Sequence, residues 1–593
     1  MEGFNSSRRS TVYSVKGMVS STQPLATAAG IKILSQGGNC VDACVAVSAC
    51  LCVVEPSSTG IGGDCYSLLY KESDKKVYGI NGTGRSASRL SIDYLKKNHP
   101  DHILPSLRFK DDSIFKIQIP GAIAGWCDAI AAWGSGNVTL SDILAPAIDL
   151  AENGFVVSEV SALLWKEAEI KLKAAQNSEK DLSIFLPNDR FEAPIKGQYM
   201  RNERLAATMR IISEKGKKGF YEGEIADSIV LELSKRGSLI TREDLKNHTS
   251  TFVEPISLSI LGHKLWEIPP NGSGVIALLT LGLINELDKS GAIDLKNMKH
   301  NSSEYIHLLS ECLKLSFKDS DEYVNDYEFF AKNHNLDQMK SIENLLSEDY
   351  LKSRSSLFKK SNVMRNTDVK HGIPNPMFKS DTVYFTASDS NGDACSFINS
   401  VYENFGSGVI IPDRGFALQN RGGNFNLNPT SKNCLEGNKR SYHTIIPGMI
   451  TTPRNDGQEE LYASYGIMGG FNQPQAHVQV YLNMLLFGMD PQQALDAPRI
   501  CLYPDPKGTD SGFGSDGPAS RDATCIGIED GISSAVVEEL RNLGHQAKVF
   551  ANEKRTLFGR GQIIRRESGP ETKGHLVYSA GSDMRGDGAA VPL

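Results

Sequence analysis

The segment Val41 to Val54, VDACVAVSACLCVV, is apolar almost all the way round at helical spacing. A helix without a polar face must be covered on every side, so it belongs at the centre of a large core. Its start is well marked: Asn39 can cap it, and Asp42 three residues later can close a capping box. Another helix is expected before it, from Pro24 to the stop at Gly37-Gly38. The chain can supply such a core, with 593 residues, 40% of them hydrophobic and 22% charged. That composition excludes disordered and fibrous classes. The apolar run is nevertheless too short to cross a bilayer. Cys40, just before this segment, and Cys44, Cys50 and Cys52 within it read as small buried hydrophobes. Eleven cysteines without a CxxC pair give no sign of a zinc site.

Length by itself suggests three or four domains at about 150 residues each. Beyond the opening helices, SSTGIGGDC is a turn-rich loop leading to strands YSLLYKE and KKVYGING. Residues 121 to 345 read as mainly helical, with strands near 252 to 268. From about 353 to 381 the sequence turns polar and contains proline, which makes it the best linker in the chain. Short strands follow, then a helix near 473 to 487, a loop at 504 to 523 that reads as a solvated excursion or a substrate lid, and closing strands. Sixty-three basic residues against 70 acidic ones leave a net charge of −7. No basic stripe offers a footprint for nucleic acid. The start MEGFNSSRRSTVYSVKG has no apolar signal region, and the expected location is the cytoplasm, with no membrane partner.

Walker A, HExxH, GxSxG and strand-to-helix GxGxxG patterns are missing. What stands out is a hairpin that begins at a threonine where the linker ends: TVYFTASD (382 to 389), Ser390-Asn391-Gly392, then DACSFINSV (393 to 401). A two-residue loop would set Phe385 against Ile398 and Ala387 against Ser396. A three-residue loop sets Phe385 against Phe397 and Ala387 against Cys395, which separates apolar from polar faces better. In that register the hydroxyl of Ser400 faces Thr382 across the hairpin.

The chain resembles the gamma-glutamyltranspeptidase family of N-terminal-nucleophile hydrolases over nearly its whole length. The motifs that carry the resemblance are GGNCVDACVAVSACLCVVEPSSTGIGGDCYSLLY (37 to 70), IPGAIAGW (119 to 126), EIPPNGSGVIALL (267 to 279), the 382 to 409 hairpin region, GIMGGFNQPQAH (466 to 477), ALDAPRI (494 to 500) and SDMRGDGAA (582 to 590). The resemblance implies an α+β fold, a four-layer αββα sandwich, made as a precursor. Cleavage of the Asp381–Thr382 bond would give a large subunit 1–381 and a small subunit 382–593 that stay associated. Thr382 becomes the nucleophile and its own α-amine the base. Gly469 and Gly470 match the paired glycines of the oxyanion hole, and Ser400 takes the place of the supporting threonine. No metal or organic cofactor is implied.

The substrate-holding positions depart from the family pattern. The acidic pair is replaced by Gly423-Asn424, the serine pair by His443-Thr444, and an asparagine by Tyr402. Arg85 is shifted from the usual register. Without the acidic group, the α-ammonium of a glutamyl substrate loses its ionic partner. These changes resemble a divergent branch with oxamate-type amidohydrolases, in which Arg85, Arg421 and Arg440 are candidates for a substrate carboxylate and His443 for a polar contact. The expected activity is that of a self-processing amide hydrolase or acyltransferase of gamma-glutamyltranspeptidase type, including glutathione hydrolysis. The alternatives are an amidohydrolase or acylase on another small carboxylate amide, and a non-catalytic relative.

Overall fold

The computed structural model describes residues 7, 9–175, 177–334, 338–364, 382–504 and 524–593. Most of the expected linker, Asp381 within it, and nearly all of the expected 504–523 loop lie outside the described residues. Two seven-stranded sheets form the centre. The first runs, in spatial order, Ala589–Pro592, Met18–Ser21, Val383–Ser388, Ala394–Ser400, Asp64–Lys71, Lys76–Gly82 and Thr251–Val253. The second runs Val12–Ser14, Val577–Ser582, Arg560–Glu567, Glu459–Met468, Gly448–Pro453, His263–Glu267 and Ile256–Ile260. Each sheet therefore mixes strands from before and after residue 381, so neither side of that position could build a sheet of this size alone.

Three apolar layers follow from the period-two alternation of the strands. Val383, Phe385, Ala387, Cys395 and Phe397 point outward to helices that include Cys40–Val54 and Leu140–Asn153. Tyr384, Ile398, Tyr66 and Leu68 point inward and meet Met449, Met468, Ile564 and Tyr578 of the second sheet. Ala463, Tyr465, Ile467 and Ile563 cover the other face of the second sheet, beneath Val275–Lys289, Ser303–Tyr323 and Gln473–Leu485. The result is the four-layer αββα sandwich, one layered unit where length suggested several domains.

The central helix is capped as its sequence specifies. Asn39 accepts from the N–H groups of Val41 and Asp42, while Asp42 accepts from Asn39 N–H. The hairpin adopts the three-residue register, with Phe385 opposite Phe397 and Ala387 opposite Cys395. The two phenyl rings stack at 5.2 Å. Gly392 sits at φ +94, which the loop requires and a side chain would disfavour. The strand expected at YSLLYKE starts two residues earlier, at Asp64. Among the described residues, no helix is long and apolar enough to cross a membrane.

Candidate active site

Thr382 is fully buried immediately before the Val383–Ser388 strand, and its Oγ1 donates to Ser400 Oγ at 3.0 Å. Ser400 Oγ also accepts from Tyr402 N–H at 2.9 Å and from Arg421 Nη2 at 3.1 Å. These two N–H donors hold the serine oxygen in place. The contact with Ser400 can thus orient the Thr382 hydroxyl.

Arg421 opens a short 3₁₀ turn, Arg421–Asn424. Its guanidinium is buried, donates to Thr444 Oγ1 at 2.7 Å, and lies 4.1 Å from the centre of the Tyr402 ring. Such a stack suits the flat, weakly hydrated guanidinium. Burial pulls it down to about 10, leaving it charged at neutral pH. Tyr402 holds a positive φ of 83, an uncommon conformation for a non-glycine residue, and its hydroxyl donates to Asn424 Oδ1 at 2.5 Å. Among the described residues, Arg421 Nε and Asn424 Nδ2 are buried donors without a partner. Unpaired donors of this kind are costly unless a ligand or water takes them.

The glycine pair follows the Glu459–Met468 strand, at φ 137 for Gly469 and 56 for Gly470. Its placement relative to Thr382 follows from the contact between the sheets. Thr386 Oγ1 meets Ser464 Oγ at 2.6 Å, and the Tyr384 ring covers Gly466. Continuing that two-residue progression brings Thr382 level with Met468, next to Gly469.

A family model described as gamma-glutamyltranspeptidase matches residues 26–593. The chain belongs to this family. Its fold and enzyme class are accordingly those of the gamma-glutamyltranspeptidase N-terminal-nucleophile hydrolases and transferases. It is 34% identical over 586 residues to a glutathione hydrolase-like proenzyme of Bacillus subtilis, covering 98% of this chain and 99% of the relative. It is 27% identical over 588 residues to the oxamate amidohydrolase proenzyme of Klebsiella pneumoniae, covering 98% and 99%. Among solved structures, a cephalosporin acylase from Bacillus halodurans superimposes with a TM-score of 0.82 at 34% identity, covering 99% of this chain and 97% of the acylase.

Within this gamma-glutamyltranspeptidase fold, Thr382, Ser400, Tyr402, Arg421, Asn424 and Thr444 form one connected cluster. Arg85 stands apart: it donates to Thr249 O at 3.0 Å and to Glu328 at 2.9 Å. Arg440 shares Glu328 and also donates to Thr251 Oγ1. Both guanidinium groups are thereby tied to the Tyr327–His334 helix and the 249–251 segment.

His443 joins the cluster indirectly. Its Nδ1 accepts from Ile445 N–H at 3.4 Å, which puts the ring proton on Nε2, 3.1 Å from Asp64 Oδ2. Burial, with Arg421 and Arg440 nearby, pushes His443 well below the usual histidine range, so the ring is neutral. Asp64 is the residue that sequence reasoning missed. Burial raises it to about 7, against the opposing pull of Arg421 and of the Gly84 and Gly121 N–H groups. An acidic residue ending the glycine-rich GIGGD run was the available signal, since the turn itself has no need of a buried charge.

Proposed function

We propose that the chain is a precursor that cuts itself between Asp381 and Thr382, and that Thr382 is then the nucleophile of an amide hydrolase and acyltransferase. The observation that carries this reading is the buried Thr382–Ser400 contact, backed by Arg421. In processing, Thr382 Oγ attacks the Asp381 carbonyl and the peptide bond becomes an ester. Water hydrolyses that ester, leaving a carboxylate on Asp381 and a free α-amine on Thr382. In turnover, the α-amine takes the Oγ proton as Oγ attacks the substrate amide, and Gly469 and Gly470 N–H groups hold the oxyanion. The proton passes to the leaving amine, and water or an acceptor amine releases the acyl group. The fragments 1–381 and 382–593 stay together because both sheets draw strands from each.

Arg421, with Tyr402, Asn424 and Thr444 around it, is assigned to a carboxylate on the acyl group, and His443 supports that subsite from behind. Arg85 serves it only if Glu328 releases it. Relatives named as glutathione hydrolase-like, oxamate amidohydrolase and cephalosporin acylase support the reaction class. A second reading, favoured by one observation, is an acyl group without an α-ammonium. Among the described residues, the Asp64 carboxylate approaches the cluster, and it already accepts from four donors. The cytoplasm as location is supported by eleven cysteines that form no disulfide among the described residues.

Intact mass decides the first step: a fragment beginning at Thr382 is expected, and a single uncut chain refutes the reading. Release of p-nitroaniline from γ-glutamyl-p-nitroanilide, compared with ammonia from oxamate, separates the two substrate classes.

A further inference from the structure

Asp64 begins its strand directly opposite Ser400. Thr382, Ser400 and Asp64 thus stand in one row across three neighbouring strands, on the face turned toward the second sheet. Every hydrogen bond to the Asp64 carboxylate comes from a segment that positions something else. Oδ1 accepts from Gly84 N–H at 2.8 Å, Gly121 N–H at 3.2 Å and Gln419 Nε2 at 3.3 Å. The other end of the Gln419 amide, Oε1, accepts from the main-chain N–H of Arg421 at 2.8 Å. Oδ2 accepts from His443 Nε2 at 3.1 Å, and the next residue, Thr444, accepts from Arg421 Nη1 at 2.7 Å. Two arms therefore leave Asp64. One ends on the backbone of Arg421 and the other beside its guanidinium.

The arms are chemically distinct. Oδ1 could be the carbonyl of an amide without loss. Oδ2 could not, because the His443 proton is fixed on Nε2 by the Ile445 N–H at Nδ1, and an NH2 group there would face N–H against N–H. A carboxylate is required for both arms to hold at once.

We propose that Asp64 is the positioning residue of the acyl-carboxylate subsite: acting through Gln419 and His443, it sets where Arg421 presents its guanidinium and so controls affinity for a carboxylate-bearing acyl group. The inference rests on the assignment of Arg421 to that carboxylate. Asp64 itself touches neither substrate nor nucleophile. Outer groups that orient the ligands of a metal site change affinity or activity by about 10- to 100-fold when lost, and an effect of that order is expected here.

The test uses full-length Asp64→Asn and two anilides that differ only by a carboxylate, glutaryl-p-nitroanilide and its uncharged analogue butyryl-p-nitroanilide. The wild type is expected to show the lower KM for the glutaryl compound. In Asp64→Asn that KM should rise by about 10- to 100-fold with kcat within about threefold, while butyryl turnover stays within about twofold. Equal loss on both anilides, with the fragment at Thr382 still formed, overturns the proposal and leaves a merely structural aspartate. A wild type with equal KM for both overturns the assignment of Arg421, and the Asp64 proposal with it. Gln419→Leu severs one arm with Asp64 intact and covers the case in which Asp64→Asn does not fold. It should raise the glutaryl KM selectively, and an unselective loss refutes the arm.

Discussion

Tyr384 lies over Gly466 so closely that a Cβ on the glycine would come within 2.4 Å of the ring. This contact presses the two sheets together one step from Thr382, and the ring cannot swing aside because its hydroxyl is bonded to Ser396 Oγ at 2.7 Å. Gly466→Ala should therefore overpack the interface and cost about 1–3 kcal/mol of stability. On the proposal that Gly469 serves Thr382, self-cutting should slow as well. Calorimetric melting and a time course of fragment formation check both effects. Wild-type melting would mean that the sheets can separate without penalty.

Ser400→Ala removes the acceptor of three hydrogen bonds, leaving Tyr402 N–H and Arg421 Nη2 buried and unpaired there. Loss of a group that orients the attacking oxygen should slow cutting by about 100-fold or more. Ser400→Thr keeps the hydroxyl and should cut at nearly the wild-type rate. The rate at which a fragment beginning at Thr382 appears distinguishes them, and an alanine variant that cuts normally removes Ser400 from the mechanism.

The parts of this arrangement that were legible in the sequence are those encoded within a few dozen residues. The Asn39–Asp42 capping box is a local pattern, and the hairpin register followed from matching Phe385 with Phe397. Those two facts carry the fold's central helix and the Thr382–Ser400 pairing. Asp64 escaped because its partners come from four separate segments, and the two that link it to Arg421, Gln419 and His443, lie more than 350 residues away. Arg85, Arg421 and Arg440 looked alike as buried or surface cations. Glu328 separates them, since it pairs with both Arg85 and Arg440 while Arg421 faces Ser400. No local pattern announces which arginine a carboxylate some hundred or more residues away will take.

A second buried charge cluster explains the late motifs ALDAPRI and SDMRGDGAA. Arg499 and Arg585 both bind Asp583, at 2.5 and 2.9 Å, and Arg585 and Arg555 bind Glu529, at 2.5 and 2.7 Å. Burial alone would raise Asp583, but the two guanidinium groups outweigh it and hold the carboxyl at about 2. The folded value lies below the unfolded one, so the unfolded chain binds more protons in acid. The stabilisation is present above about pH 4 and is lost as pH falls toward 2. Asp583→Asn leaves two buried cations short of an anion and should cost about 3–5 kcal/mol at pH 7. In urea titrations the gap between variant and wild type should narrow between about pH 4 and pH 2. A gap that does not change with pH would assign the loss to packing.

Arg421→Lys separates processing from turnover. A lysine cannot span Ser400 Oγ and Thr444 Oγ1 together, and its ammonium loses the flat stack on Tyr402. Thr382 and Ser400 remain in place, so the chain should still cut itself and yield a fragment beginning at Thr382. Turnover of a carboxylate-bearing anilide should fall by about 100-fold in kcat/KM, with KM rising, because a two-point grip on the carboxylate subsite becomes a single flexible contact. Cutting and turnover measured on the same preparation check this directly. Loss of cutting together with turnover would place Arg421 in activation of the nucleophile, and unchanged KM would place the substrate carboxylate elsewhere.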